Sequence, residues 1–396
     1  MFGGTGWDSF DTSVSKPVMT ETGKGSFELS ILALLCIFVL CGIWVAGLWP
    51  FHSPANQVSW LQDKNGLLFG RHGTIVSSGP FTKSGAEGDT SATLEIWLQP
   101  NSDSERTLLA FSTAEHPRQF LIRRYQSGIV LRGEVLDRPV QNRAVEIYVA
   151  GVFHDRQPVL LTVTSGSGRT AIYANGALLD TSSYFHFSAK DFDGIMVFGT
   201  SPVDSDDWPG ELRGLAFYCQ DLTAAQVSSH FETWTTRGRP DLSQNEHALA
   251  LYLFDERQGH VVHDHTGSGP DLEIPNRYQI LHEKFLEPPW EEFRPATWSY
   301  WKNVGINIGG FIPLGFFFCA YLTLAGKISS PALVTVILGA AVSVTIEVLQ
   351  AYLPTRDSGM TDIITNTLGT ALGVILYRWK AALLMKIVCR LRAVAA

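Results

Sequence analysis

Glu347, Gln350, Arg356, Asp357, Asp362 and Asn366 fall inside or beside strongly apolar stretches. Ionisable groups there are costly, so they mark a place where a polar ligand or a proton is handled. A cluster that includes Glu347 and Asp362 can bind the polar head of an amphiphile. It can also act as base and acid if burial raises one of the two pKa values. No serine or cysteine nucleophile motif and no histidine accompanies the cluster. That argues against acyl transfer and leaves carboxylate-only chemistry open, so no catalytic residue is assigned. The competing reading is that these side chains are interhelical glue, which accounts well for one or two amides and less well for several acids and an arginine.

The elements that must position them are apolar runs. Leu29–Leu48 is uncharged and long enough to cross a hydrocarbon core, and three further runs follow at Val304–Gly326, Ala332–Leu353 and Ile363–Leu384. Acidic Glu21 and Glu28 precede the first run, which favours an anchor over a cleaved signal. Arg378, Lys380, Lys386, Arg390 and Arg392 follow the last run without an intervening acid, which places the C-terminus in the cytoplasm by the positive-inside rule. Four spans then place the N-terminus there too, and residues 50–302 outside. Asn303 and Asn307 share one stripe of the second run with Gly310. Ser343, Glu347 and Gln350 form a stripe at the end of the third. Asp362, Asn366, Gly369 and Gly373 open the fourth. With alternating directions all three stripes lie in the outer leaflet, Glu347 about 9 Å below Leu353 at 1.5 Å per residue. Arg356 is its candidate ionic partner. Gly305 with Gly309, and Gly369 with Gly373, have the spacing that lets helices approach closely.

Between the first and second runs the chain changes character. Short stretches such as TLEIWLQ (93–99), TLLAFST (107–113), FLIRRY (120–125), IVLRGEVL (129–136), VLLTVT (159–164), RTAIYANG (169–176), GIMVFGT (194–200) and RGLAFYC (213–219) alternate between turn clusters, the pattern of a β-sandwich or barrel. Asn175-Gly176 is a hairpin-turn signal. LTAAQVSSHF (222–231) predicts one or two helical turns with Thr223 as N-cap. Asp255 and Asp264 in a glycine-rich segment are a weak candidate calcium pair. The rival reading is that they cap the turn. His263 and His265 alternate on HVVHDH and could share a metal, although a solvated turn explains them too. Trp290, Trp298, Tyr300 and Trp301 suit an interfacial aromatic belt, or ordinary packing against the outer domain.

Composition sets limits. Of 396 residues 45% are hydrophobic and 17% charged, with net charge −8. That mild acidity excludes a nucleic-acid partner, which requires a clustered basic face. Of the five cysteines only Cys219 lies outside or away from the apolar runs, so the middle region has no internal disulfide.

The stretches VLLTVTSGSGRTAIYANGALL, WPGELRGLAFYCQDLTAAQVSSHF and ALYLFDERQGHVVHDHTGSGPDLEIP resemble the laminin-G/concanavalin A-like sandwich family over residues 57–280. Members bind sugars or protein partners, sometimes with calcium, and some only brace other domains. NVGINIGGFIPLGFFF (303–318) and TIEVLQAYLPTRDSGMTDIITNTLGTALG (345–373) resemble the VanZ-like membrane family, named for a factor that lowers susceptibility to the glycopeptide teicoplanin. The resemblances imply an all-α four-span membrane bundle with an all-β concanavalin A/laminin G-like jelly roll inserted between spans one and two. The expected order is a cytoplasmic tail (1–28), span one (29–49), the sandwich (57–280), an aromatic linker (281–302), the VanZ-like unit (303–385) and a basic tail (386–396). They imply a bacterial envelope protein in the inner membrane. Its expected partners are the bilayer, a lipid-linked glycan or wall precursor, and a surface glycan or protein on the sandwich. No cofactor is expected. An intramembrane enzyme and a non-catalytic scaffold are the alternatives. Transport is the weakest reading, since four spans show no internal repeat.

Overall fold

The computed structural model describes residues 21–81, 90–134, 144–166, 168–242, 246, 248–293 and 297–394, with side chains within residues 27–381 of these, Glu134 excepted. It divides into two compact units. One comprises the residues before Trp49 together with Glu287–Val348 and those from Gly359 on, and the other comprises Trp49–Leu286 with Leu349–Ser358.

The second unit is a sandwich of two antiparallel sheets. The first runs in the order β1 (Val58–Trp60), β2 (Leu67–Phe69), β13 (Gly210–Tyr218), β4 (Ala92–Pro100), β9 (Val159–Gly166), β10 (Arg169–Ala174) and β11 (Ala177–Ser182), with β14 (Ala248–Tyr252) also paired to β13. The other runs β15 (Val261–Val262), β16 (Leu272–Glu273), β3 (Ile75–Ser77), β12 (Ile195–Phe198), β5 (Thr107–Ser112), β6 (Phe120–Tyr125), β7 (Gly128–Glu134) and β8 (Ala144–Val149). Alternate residues face inward. Leu94, Ile96 and Leu98 of β4 and Leu215 and Phe217 of β13 meet Leu109, Phe111, Phe120 and Ile122 from the opposite sheet. Phe111 and Phe217 touch edge to face at 5.4 Å. All eight strands read from the sequence are present, within a few residues at their ends; positions 135 and 136 of the fourth lie outside the described residues. The Asn175-Gly176 turn joins β10 to β11 with φ of 52° and 78°, the left-handed pair that this hairpin requires.

Helix α2 (Ala224–Arg237) is longer than expected. Thr223 caps it, and Gln226 returns a bond to the Thr223 N–H, forming a capping box. Gly238 ends it in the left-handed conformation. Val227, His230 and Trp234 present one face to the outer side of the first sheet, against Tyr218, Leu160 and Tyr173.

The other unit is helical. It contains α1 (Glu21–Leu48), a short α3 (Pro289–Glu292), α4 (Trp298–Ala325), α5 (Pro331–Gln350) and α6 (Met360–Val394). Among the described residues three helices are long and apolar enough to cross a membrane, at Phe27–Leu48, Trp298–Ala325 and Pro331–Gln350. The fourth expected span falls in α6, whose side chains beyond residue 381, including Lys386, Arg390 and Arg392, lie outside the described residues, as do residues 1–20 of the N-terminal tail. Val39, Leu40 and Ile43 of α1 pack with Phe311 and Leu314 of α4 and with Val342 and Ile346 of α5. Trp290, Trp298 and Trp301 are exposed.

Small residues set the α4–α6 approach, but not all of those that the spacing nominated. A Cβ on Gly369 or Gly373 would run into the carbonyls of Ile308 and Ile312, and one on Gly315 into that of Thr370. Gly305 and Gly309 face open space. Gly373→Leu should therefore destabilise the helical unit by about 1–3 kcal/mol through overpacking, whereas Gly305→Leu should change little. Thermal melts of the two variants in detergent check this, and equal melting temperatures would contradict it.

Candidate functional site

Glu347 lies at the last turn of α5 and is 1% exposed. Its Oε2 accepts the Gly359 N–H at 2.9 Å, one residue before α6 begins. Glu292, at the end of α3, comes to the same helix start: its Oε2 accepts the Thr361 N–H at 3.2 Å. The α3 segment is strapped there by the Met360 N–H, which donates to the Glu287 carbonyl at 3.0 Å. Gly359 leaves room for the Glu292 carboxylate, whose end a Cβ at this position would meet. Asp362 stands in the first turn of α6, and it and Glu292 lie within electrostatic reach of Glu347. The helix start explains part of this gathering. Its first N–H groups lack intrahelical partners and carry the positive end of the helix dipole, so carboxylates from outside can cap it.

Three acids exceed what one cap needs. Burial raises the Glu292 carboxyl above the ordinary carboxylate range, with the Asp362 and Glu287 charges adding to it, against the bonds from Thr361. One turn along α6, Asn366 is 5% exposed. Its Nδ2 donates to Ser343 Oγ at 2.9 Å, while its Oδ1 has no hydrogen-bond partner among the described residues. A buried amide oxygen without a donor is rare and marks a position that a ligand or water can complete.

The remaining expected residues are distributed as follows. Asn307 is half-buried on α4, and Asn303 is exposed near its start. Gln350 (buried), Arg356 and Asp357 (both exposed) lie on the segment grouped with the sandwich, where the Arg356 guanidinium donates to the Trp49 carbonyl at 2.6 Å and 3.1 Å. Glu292 was not among the residues that the sequence nominated. It sits in an aromatic stretch that reads as an interfacial belt, and its one sequence signal is an acid pair, Glu291-Glu292, just before an apolar run.

In the sandwich, Asp264 serves as a turn cap. Its carboxylate accepts N–H groups from Leu251, Thr266, Ser268 and Gly269, and the Thr266 hydroxyl at 2.6 Å. Those oxygens face donors, which does not fit a cation. Asp255 instead meets His265 at 3.2 Å, and His263 meets Asp271 at 3.0 Å, so neither the acids nor the histidines converge. Among the described residues no group of three or more His, Cys, Asp or Glu side chains is placed to hold a metal ion.

A buried ionic network also escaped the sequence. Glu95 on the outer face of β4 accepts Tyr218 Oη–H and Trp234 Nε1–H, each at 2.9 Å. His230 of α2 sits between two carboxylates, with Nδ1 at 3.0 Å from Glu95 and Nε2 at 3.3 Å from Glu246. Burial opposes its charge, but the bonds and charges of the two glutamates prevail, and the imidazole pKa is raised. The network fastens α2 to the sheet.

Residues 248–384 match the VanZ/LLP1 family model. Residues 76–228 match the model of the concanavalin A-like lectin/glucanases superfamily. No curated relative matches the chain. Similar solved structures include the binding domain of Paraclostridial Mosquitocidal Protein 1 (14% identity, 47% of this chain and 47% of that one, TM-score 0.34). Others are a putative carbohydrate binding protein from Bacteroides ovatus (13%, 58% and 62%, 0.37) and a heptameric SAP-like pentraxin from Limulus polyphemus (16%, 57% and 96%, 0.33). The chain thus spans less than two thirds of the first two of these. The VanZ/LLP1 match starts at β14, earlier than the motifs at 303–318, so it includes the closing strands of the sandwich. The chain thus joins a segment that matches the VanZ/LLP1 model to a β-sandwich that matches the concanavalin A-like model, and among its described residues three helices have the length and apolar character of membrane spans.

Proposed function

We propose that this is a bacterial inner-membrane protein that binds the polar head of an amphiphile, a lipid-linked glycan or wall precursor, at the carboxylates gathered on the start of α6. The observation that carries the reading is the convergence of Glu292, Glu347 and Asp362 on one helix terminus, with the unpaired Asn366 Oδ1 one turn away. Asn303 and Asn307 are proposed as further head-group contacts. Four spans, with the sandwich outside and the C-terminus in the cytoplasm, give the arrangement that the basic residues after the last run support. The sandwich would bind a glycan or protein partner, which accords with the lectin and glucanase superfamily whose model it matches.

A carboxylate-dependent enzyme is the second reading. It is favoured by the Glu292 carboxyl, whose raised pKa suits a general acid, with Asp362 as a second carboxyl within electrostatic reach.

Native mass spectrometry of the purified full chain tests the first reading. A glycan-bearing lipid is expected to co-purify and to be lost in Asp362→Asn. Recovery of bulk phospholipid alone, unchanged by that substitution, would overturn it. Lipid extracts of cells with and without the active protein separate binder from enzyme, because only the enzyme produces a modified lipid or glycan.

A further inference from the structure

The two outer faces of the sandwich differ. The first sheet is covered by α2 and its apolar cluster. The face of the second sheet over β5–β8 carries no such helix among the described residues and holds a groove of about 580 Å³ instead. That volume is within the range of small-ligand sites, about 300–1,000 Å³. Outward positions alternate with the core residues Ile122, Ile129, Leu131 and Ile147, so strand register builds the floor of the groove, and the segment after β12 that carries Asp204 and Asp206 closes one side.

Its chemistry has two parts. Tyr125 and Tyr148 meet edge to face, with centroids 5.6 Å apart and interplanar angle 86°, and remain 41% and 44% exposed. Such paired aromatic surface left in water is the signature of a contact face. Along the groove run arginine–carboxylate pairs: Arg132 with Glu146 at 3.4 Å, Arg123 with Asp206 at 3.3 Å, and Arg118 with Asp204. Asp206 is held in place by the Thr107 N–H and hydroxyl at 3.1 Å and 2.7 Å. Lys284 holds Asp204 at 2.9 Å.

We propose that this groove binds a neutral, polyhydroxylated sugar chain, with pyranose faces stacked on Tyr125 and Tyr148. The assignment deepens the glycan reading of the sandwich and rests on it. A sugar hydroxyl both donates and accepts, so neighbouring hydroxyls satisfy an arginine and its paired carboxylate together. A polyanion would have to displace Glu146, Asp204 and Asp206 from their cations. An extended peptide gains its main affinity at a sheet edge, whereas this groove lies over a face. An apolar ligand would leave the charged pairs desolvated and unmatched.

Binding of cellohexaose, mannohexaose, chitohexaose and hexagalacturonate to the full chain in detergent, by titration calorimetry, tests the proposal. At least one neutral hexamer is expected to bind in preference to hexagalacturonate. Tyr125→Ala and Tyr148→Ala should each weaken it by about tenfold, and both variants should keep the parent melting temperature because the rings are half in water. Neutral-hexamer binding that survives the Tyr125→Ala/Tyr148→Ala double variant unchanged would overturn the groove and leave the glycan reading standing. Preference for hexagalacturonate, lost in the double variant, would overturn the neutral ligand while keeping the groove. If none of the four probes binds the parent chain, the groove proposal fails together with the glycan reading.

Discussion

His230→Ala is expected to destabilise the sandwich by about 3–5 kcal/mol, the cost of removing one partner from a buried ion pair. The imidazole occupies the space between Glu95 and Glu246, and each of its nitrogens faces a carboxylate, which only accepts hydrogen bonds. The raised imidazole pKa favours the imidazolium, the form in which both nitrogens donate. Removing it leaves two buried carboxylates without their cation, with Glu95 still fixed by Tyr218 and Trp234. The pH dependence has a definite sign. A histidine whose folded pKa is raised contributes stability that is complete below its ordinary value of about 6.5 and is lost as pH rises through the folded value. The parent should thus lose stability relative to His230→Gln on going from acidic to alkaline pH, and the gap between their melting temperatures should narrow. Thermal melts of the full chain at several pH values, followed by tryptophan fluorescence, measure this. A gap that widens with pH would refute the imidazolium.

That network also marks the limit of what the sequence discloses. The strands were legible because burial on one face writes itself as alternation, as in Leu94, Ile96 and Leu98 of β4. Thr223 was legible because an N-cap signal is local. Glu95, His230 and Glu246 are distant in sequence, and each looks like an ordinary polar position; only the docking of α2 on β4 brings them together. The same holds in the helical unit. Stripes on separate runs nominated Glu347, Asp362 and Asn366, and packing of α5 and α6 connects Ser343 with Asn366 and Glu347 with Gly359. Glu292 reaches them only because the strand-like bridge of Glu287 to Gly359 folds α3 back. Glycine spacing was ambiguous for a further reason. Gly305 and Gly309 repeat at four residues as Gly369 and Gly373 do, but spacing does not say which face meets a neighbour.

The largest functional effect is expected from Glu347→Gln. Glutamine keeps the shape of the side chain and a carbonyl oxygen, so it can still accept the Gly359 N–H. What it loses is the ionisable carboxyl group. If Glu347 only caps α6, the loss is that of a charge beside a helix terminus, about 0.3–1 kcal/mol and at most about 2 in a partly buried site. Expression, insertion and function should then all persist. If the carboxylate binds a ligand head or moves a proton, function should be abolished while melting in detergent changes by only a few degrees. Function here means the wall-antibiotic or surface-glycan phenotype of the host. Asp362→Asn supplies the parallel test from the first turn of α6, since it removes a charge from the same group of acids by a change of similar size. Gly359→Ala probes Glu292 separately. It should displace the Glu292 carboxylate with little change in melting, because its Cβ meets only the end of that side chain. Loss of function with intact melting in both carboxylate variants would assign the acids to ligand handling. Full function in Glu347→Gln and Asp362→Asn would refute that role and leave the gathered carboxylates as a cap for α6.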